Sequence, residues 1–381
     1  VISSSQISAI AATETSPQGG FARAIRLSTI ADSSTLLVSN SSRLSASAMG
    51  AVTILVQKSD NSDDGIAHGS ELRISSGSTL EATSPTDSAY GIALFDEAVG
   101  VVTLLQNNSL LTVEDSTIIT KSSTKDANAF VVSNAAISSS TILFQNTELI
   151  TEADILAAAF KFEPKANYIS ASNITMENVT ASTTSTGTKV PDEDSNFESI
   201  AAVFLFSQQM RKGTSATVSN SYLTVNGRSA VGMKFDNAKI DDSSSFGLVD
   251  TTLDVLASTS GTTRGLAAGV HLRRTTVTDS SQLLIRGSDI NVTTAAESQA
   301  APYGIIIQLL CEFKDNSQLA VESSTLLVAS NLSSTNGVYV VSNSKGFSKN
   351  SSFVVAKGSS ISATSLKAIA HGINFQSTPF A

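Results

Sequence analysis

Two adjacent carboxylates, Asp241 and Asp242, with His271 further along, are the residues whose types come closest to acid–base chemistry. Hydrolysis of a glycosidic bond needs such a pair, one carboxyl to protonate the leaving oxygen and one to act as base or nucleophile. A second spacing suits a hard cation. Asp60, Ser62, Asp64 and Glu71 stand at the first, third, fifth and twelfth places of a calcium-loop pattern, with Gly65 at the sixth. Ser62 is a weak ligand, so a polar loop is the plainer reading. Asp192, Glu193, Asp194 and Glu198 form an acidic patch inside the longest insertion, about 182–199, and such patches are more often solvated loops than metal sites. Sequons for N-glycosylation occur at Asn40, Asn107, Asn173, Asn178, Asn291, Asn331 and Asn350. Their number is what chance supplies in a chain so rich in Ser and Thr, but their places at corners, loops and outward positions leave room for glycans. Three His and one Cys, Cys311, offer little from which to build a zinc or nucleophile site, and no disulfide can close within the chain.

The elements that must position these residues are written as a repeat. Ser or Thr, any residue, an aliphatic, any residue and another aliphatic recur throughout, as in Ser34 to Val38, Ser281 to Ile285 and Ser317 to Val321. An echo of the phrase begins seven or eight residues later, at Ser42, Ser288 and Ser324 for these copies. The exception is the pair starting at Ser172 and Glu177, which lie five apart. The alternation of apolar and polar residues predicts strands with one buried face. Starts so close together leave room for a sharp corner and not for a hairpin loop. A third phrase, usually Gly followed by aliphatic-x-aliphatic, closes each unit, as at Gly91, Gly232, Gly269, Gly304, Gly337 and Gly372. Glycine there suits a bend or a close approach of backbone.

Internal repetition at this period signals a solenoid. The expected fold is all-β, a right-handed parallel β-helix with three strands per coil and about eleven coils, forming one domain over residues 1–381. At ~4.8 Å per coil the rod would be roughly 50 Å long. Leu36, Leu72, Leu111, Ile142 and Ile174 should form one inward column, and Val38, Ile74, Val113, Phe144 and Met176 another. With few aromatics and no Trp, the core should be narrow and mostly aliphatic.

This register weakens the carboxylate pair. Asp242 falls at the corner before the first strand of a coil, where other copies carry Asp32, Asp279 and Asp315. His271 takes an outward place equivalent to Lys234 and Tyr339, and His371 falls with Tyr90 and Tyr303. They read as register residues, so no catalytic residue, cofactor or metal ligand is expected, and Cys311 reads as a small apolar residue.

Net charge is −9, from 24 basic and 33 acidic residues, and no basic cluster appears. Nucleic acid and anionic membranes are therefore poor partners. No stretch reaches the ~18 apolar residues of a membrane span. Without an initiator Met or a signal peptide, the chain reads as a processed product or part of something longer. Uncapped β-coils expose unpaired backbone, and end-to-end stacking of copies is expected.

Pairs such as Ser317 to Val321 and Ser324 to Val328, with Tyr303 to Ile305 before them, resemble the right-handed parallel β-helix class called pectate-lyase-like. In texture they are similar to large repetitive surface proteins of protists such as the kinetoplastid dispersed gene family. The resemblance covers nearly the whole chain as a pattern and carries over nothing catalytic. The function expected first is a non-enzymatic structural or adhesive protein, extracellular or at the cell surface, with self-association and glycans as partners. The alternative is a carbohydrate-binding or carbohydrate-cleaving β-helix, which a groove of aromatics and paired acids on one sheet would favour.

Overall fold

A computed structural model describes residues 1–11, 21–57, 65–95, 102–163, 168–187, 200–258, 265–341, 344–356 and 358–376. Three parallel sheets of eleven strands run through them. Sheet A begins with Ile2–Ser3, Thr35–Ser39 and Glu71–Ile74 and ends with Ser352–Val355. Sheet B runs from Gln6–Ile10 to Ser360–Ser365, and sheet C from Phe21–Leu27 to Ala370–Phe375. Each strand pairs with its equivalents in the coils before and after it, so the chain winds as a right-handed parallel β-helix of eleven coils with three long strands each. Among the described residues there is no helix, and hence none long and apolar enough to cross a membrane.

Both expected inward columns form. Leu36, Leu72, Leu111, Ile142 and Ile174 stand in register on sheet A, as do Val38, Ile74, Val113, Phe144 and Met176. The core is less aliphatic than composition suggests. Phe130, Phe144, Phe160, Phe162, Phe204, Phe206, Phe235 and Phe246 stack through the middle coils, with neighbouring ring centroids 4.9–6.5 Å apart. Eight of the chain's 16 phenylalanines are thus concentrated on the axis, where ring pairs add to the burial of each side chain.

Several details differ from the sequence reading. A fourth sheet, D, lies between C and A, with eight short strands from Val102–Gln106 to Gly346–Phe347. Many of its strands have two or three residues, as at Tyr168–Ser170 and Lys239–Ile240, too few for an alternating pattern. The first strand is Ile2–Ser3 of sheet A, ahead of the sheet B strand read from Ser5. The anomalous start at Glu177 also disappears: Thr180 pairs with Glu148 and Tyr222, so Val179 holds the corner and the spacing from Ser172 is the usual one. Glu177 belongs to the end of the sheet A strand.

In the inner coils the repeated Ser or Thr sits just before its strand and is buried at the corner, as at Ser109, Ser140, Thr214 and Ser288, whereas Ser5 and Ser34 of the first coils are exposed. At the buried corners its hydroxyl is shared between coils. Ser172 Oγ accepts the Ser140 N–H at 3.2 Å and donates to the Ser170 carbonyl at 2.8 Å. Between sheets A and B the turn is made by one left-handed residue, for example Asp115, Asn146, Asn178, Asn220 and Asp250, with φ between 47° and 54°. Asn and Asp tolerate that region best among residues with a Cβ, which explains their recurrence there.

Candidate functional site

Outward-facing residues of a solenoid sheet form columns, because each strand repeats its neighbour one coil further on. On sheet C one column runs Arg23, Val52, Tyr90, Asn128 and Ala158, and reaches Tyr303, Asn336 and His371 in the last coils. A second runs through Arg26, Leu55, Ala93, Val131, Lys161, Leu205, Lys234, His271, Ile306, Tyr339 and Asn374. Many of these side chains are buried although they point away from the core. Val52, Leu55, Ala93 and Val131 form one apolar cluster with Tyr90 and Phe95 against it, and Val231, Ala268 and Ile306 form another beside Tyr303 and Tyr339.

Charged and aromatic groups are set into this face. Lys161 Nζ lies 3.1 Å from Asp126 Oδ2 and 2.7 Å from Glu163 Oε1. Burial works against charge on Lys161, but the two carboxylates outweigh it and hold its pKa above the ordinary lysine value. Glu163 also accepts the Ser133 hydroxyl. Further along, Asp236 Oδ2 pairs with Arg273 Nη1 at 3.2 Å and Lys234 Nζ at 3.9 Å. Tyr303 and Tyr339 stack with centroids 5.5 Å apart and planes 11° apart, beside the hydrogen bond that the Asn374 amide donates to Asn336 Oδ1 at 3.2 Å. Both rings are half-exposed. A cleft of about 230 Å³ opens at the other end of the face, around Arg23, Tyr90 and Phe95.

The sequence candidates are not brought together. Asp241 is 4% exposed at the end of a sheet D strand, where Oδ2 accepts from Gln209 at 2.8 Å and from Lys239. Asp242 makes the left-handed corner into sheet A, as Asp32, Asp279 and Asp315 do in their coils. His271 stands on sheet C in register with Lys234 and Ile306. Its Nε2 faces Gln308 Nε2 at 2.7 Å, and its buried Nδ1 has no hydrogen bond among the described residues. Burial, and then Lys234 and Arg273, hold its pKa well below the histidine range. His371 falls in register with Asn336, in the column of Tyr90 and Tyr303.

Cys311 is buried, and its Sγ accepts the Thr275 N–H at 3.3 Å and donates to the Gln308 carbonyl at 3.0 Å. Burial pushes the thiol up to about 11. Asp60, Ser62 and Asp64 of the calcium-like spacing lie outside the described residues, as do Asp192, Glu193, Asp194 and Glu198; Glu71 is on a sheet A strand paired with Thr35 and Leu110. Among the described residues no cluster of three or more His, Cys, Asp and Glu could hold a metal. Of the sequon residues, Asn40, Asn107, Asn173, Asn178 and Asn350 are exposed and Asn291 and Asn331 are half-buried. The Asn178 amide donates to Asn146 at 2.7 Å and that of Asn291 to Asp254 at 2.8 Å.

No protein-family model, curated protein or solved structure matches the chain. The groups on the sheet C face went unread in the sequence, although a signal existed. The closing strands carry Leu55, Tyr90, Val131 and Ile306 at outward places, where sheet B carries residues such as Thr180, Ser182 and Thr184, although Thr53 and Ala129 replace the marker glycine in the coils of Leu55 and Val131.

Proposed function

We propose that this chain is a non-enzymatic extracellular β-solenoid with a structural and adhesive role at a cell surface, and that the outer face of sheet C is its contact face. The observation that carries the reading is the contrast between sheets. The outward residues of sheet B, such as Thr79, Glu81 and Thr83 or Ser360, Ser362 and Thr364, are half-buried or exposed, as a solvated face should be. Sheet C instead buries aliphatics on its outer side and mounts ion pairs and stacked tyrosines among them. Two apolar clusters on one outer sheet face, each set among polar and aromatic groups, are the kind of surface that contacts a partner. Glycans on the exposed sequons and end-to-end association into filaments belong to the same reading.

The carbohydrate-binding alternative has one observation in its favour, the half-exposed Tyr303–Tyr339 stack beside Asn336 and Asn374. Sugar rings pack on aromatic faces while amides take their hydroxyls. Purified protein tested on a glycan array and on cells separates the two. The adhesive reading expects cell binding to fall about tenfold when Lys234→Glu and Tyr339→Ala are combined, and to survive Thr180→Lys on sheet B. Binding lost on the sheet B change alone would overturn it. Glycan binding lost in Tyr303→Ala would favour the alternative, and release of reducing ends from a polysaccharide would end the non-enzymatic reading.

A further inference from the structure

The cleft on the first coils of sheet C opens over the two outward columns that run through Val52 and Leu55. Val52, Leu55, Ala93 and Val131 make an apolar floor, each no more than 5% exposed. Phe21, Tyr90 and Phe95 stand around it. Phe21 lies over Gly50, where a Cβ would come within 2.3 Å of the ring, so the glycine is what admits it. The Arg23 guanidinium sits 5.7 Å from the centroid of that ring.

The charges in the cleft are unequal in their partners. Glu163 is held by Lys161 at 2.7 Å and by Ser133. Asp87 is held by Lys125 at 2.9 Å and by the Ser88 N–H at 2.8 Å. Arg23 has no carboxylate partner among the described residues, and its buried Nε has no hydrogen bond. A cation entering here would have to compete with Lys161 or Lys125 for their carboxylates, whereas a single negative charge could pair with Arg23 without displacing either lysine.

We propose that this cleft binds a small organic carboxylate with an aryl or acyl body. The carboxylate takes the guanidinium in a two-pronged contact, the geometry in which arginine binds most strongly. The apolar body lies on the aliphatic floor between the rings. A volume of about 230 Å³ suits one such molecule and not a polymer segment. The assignment is independent of the adhesive reading, which concerns the whole face.

The test is calorimetric titration of the full chain with 2-naphthoate. One site per chain is expected, weakened about fivefold or more by Arg23→Gln. The uncharged analogue 2-naphthol should bind more weakly to the native protein and equally to native and Arg23→Gln. Ala93→Trp, which fills the floor, should abolish binding, and Arg26→Gln in the adjacent column should leave it unchanged. Melting curves check that each variant folds. The proposal fails if no saturable binding occurs at millimolar 2-naphthoate, if Arg23→Gln binds as the native protein does, or if Ala93→Trp has no effect.

Discussion

Several corner hydroxyls bridge two backbone groups that belong to different coils. Ser288 Oγ accepts the Thr251 N–H at 3.2 Å and donates to the Arg286 carbonyl at 3.0 Å. Ser288→Ala removes both contacts at a buried site, so a loss of about 1–3 kcal/mol is expected in urea denaturation. Ser288→Thr should cost much less, since Thr251 holds the same slot one coil earlier and accepts the Ser221 N–H at 3.3 Å. Cys311 plays the corresponding part between sheets C and D, with sulfur replacing the hydroxyl. His271 sets a different condition. Its folded pKa is lowered, so below the ordinary histidine value the unfolded chain binds a proton that the folded chain refuses. Stability from this residue is complete above about pH 6.5 and is lost as pH falls below it, at up to about 1.4 kcal/mol per pH unit. Denaturation midpoints measured from pH 7 to pH 5 should fall more steeply for the native protein than for His271→Gln. Equal slopes would show that the imidazole titrates normally.

At the scale of a strand, the closing phrase is limited by how near the next coil comes. A Cβ on Gly304 would lie 2.4 Å from the Gly337 carbonyl oxygen, and one on Gly337 would meet Gly372 O at 2.5 Å and an Ile361 methyl at 2.2 Å. Backbone cannot yield there without breaking the ladder. Gly304→Ala should therefore cost about 1–3 kcal/mol, as overpacking of a core does. Gly247→Ala, in a sheet A strand where the added Cβ would find only ordinary contacts, the nearest at 3.6 Å, should change the melting temperature little. Comparable losses at the two sites would mean that intrinsic strand preference, and not coil spacing, governs the glycines.

Across the molecule, coils touch only their neighbours, so stability is close to a sum of local terms along one axis. The phenylalanine stack concentrates ring contacts in the middle of the rod. Phe204 contacts five other rings, and Phe204→Ala should cost about 3–5 kcal/mol. Hydrogen exchange should then quicken around the strands Leu156–Phe162, Ile200–Phe206 and Ser229–Asp236, while Glu71–Ile74 and Gln318–Glu322 keep their rates. Uniform acceleration along the rod would instead mean that all coils open together.

The parallel solenoid, its coil number and its two inward columns on sheet A were legible in the residues, because a strand buried on one face must repeat with period two and stacked coils must repeat that phrase. Register alone also placed Asp242 at the corner before sheet A and His271 in the column of Lys234. The short strands of sheet D were not legible, since two or three residues carry no period. Nor was the slot at Val179, where an aliphatic replaces the hydroxyl that marks the other corners. The face with Arg23, Lys161 and the Tyr303–Tyr339 pair was assembled from residues that lie a whole coil or more apart in the chain. Its chemistry arises from neighbours along the rod axis, and a local pattern holds no record of which groups on adjacent coils will meet, stay dry or find a partner.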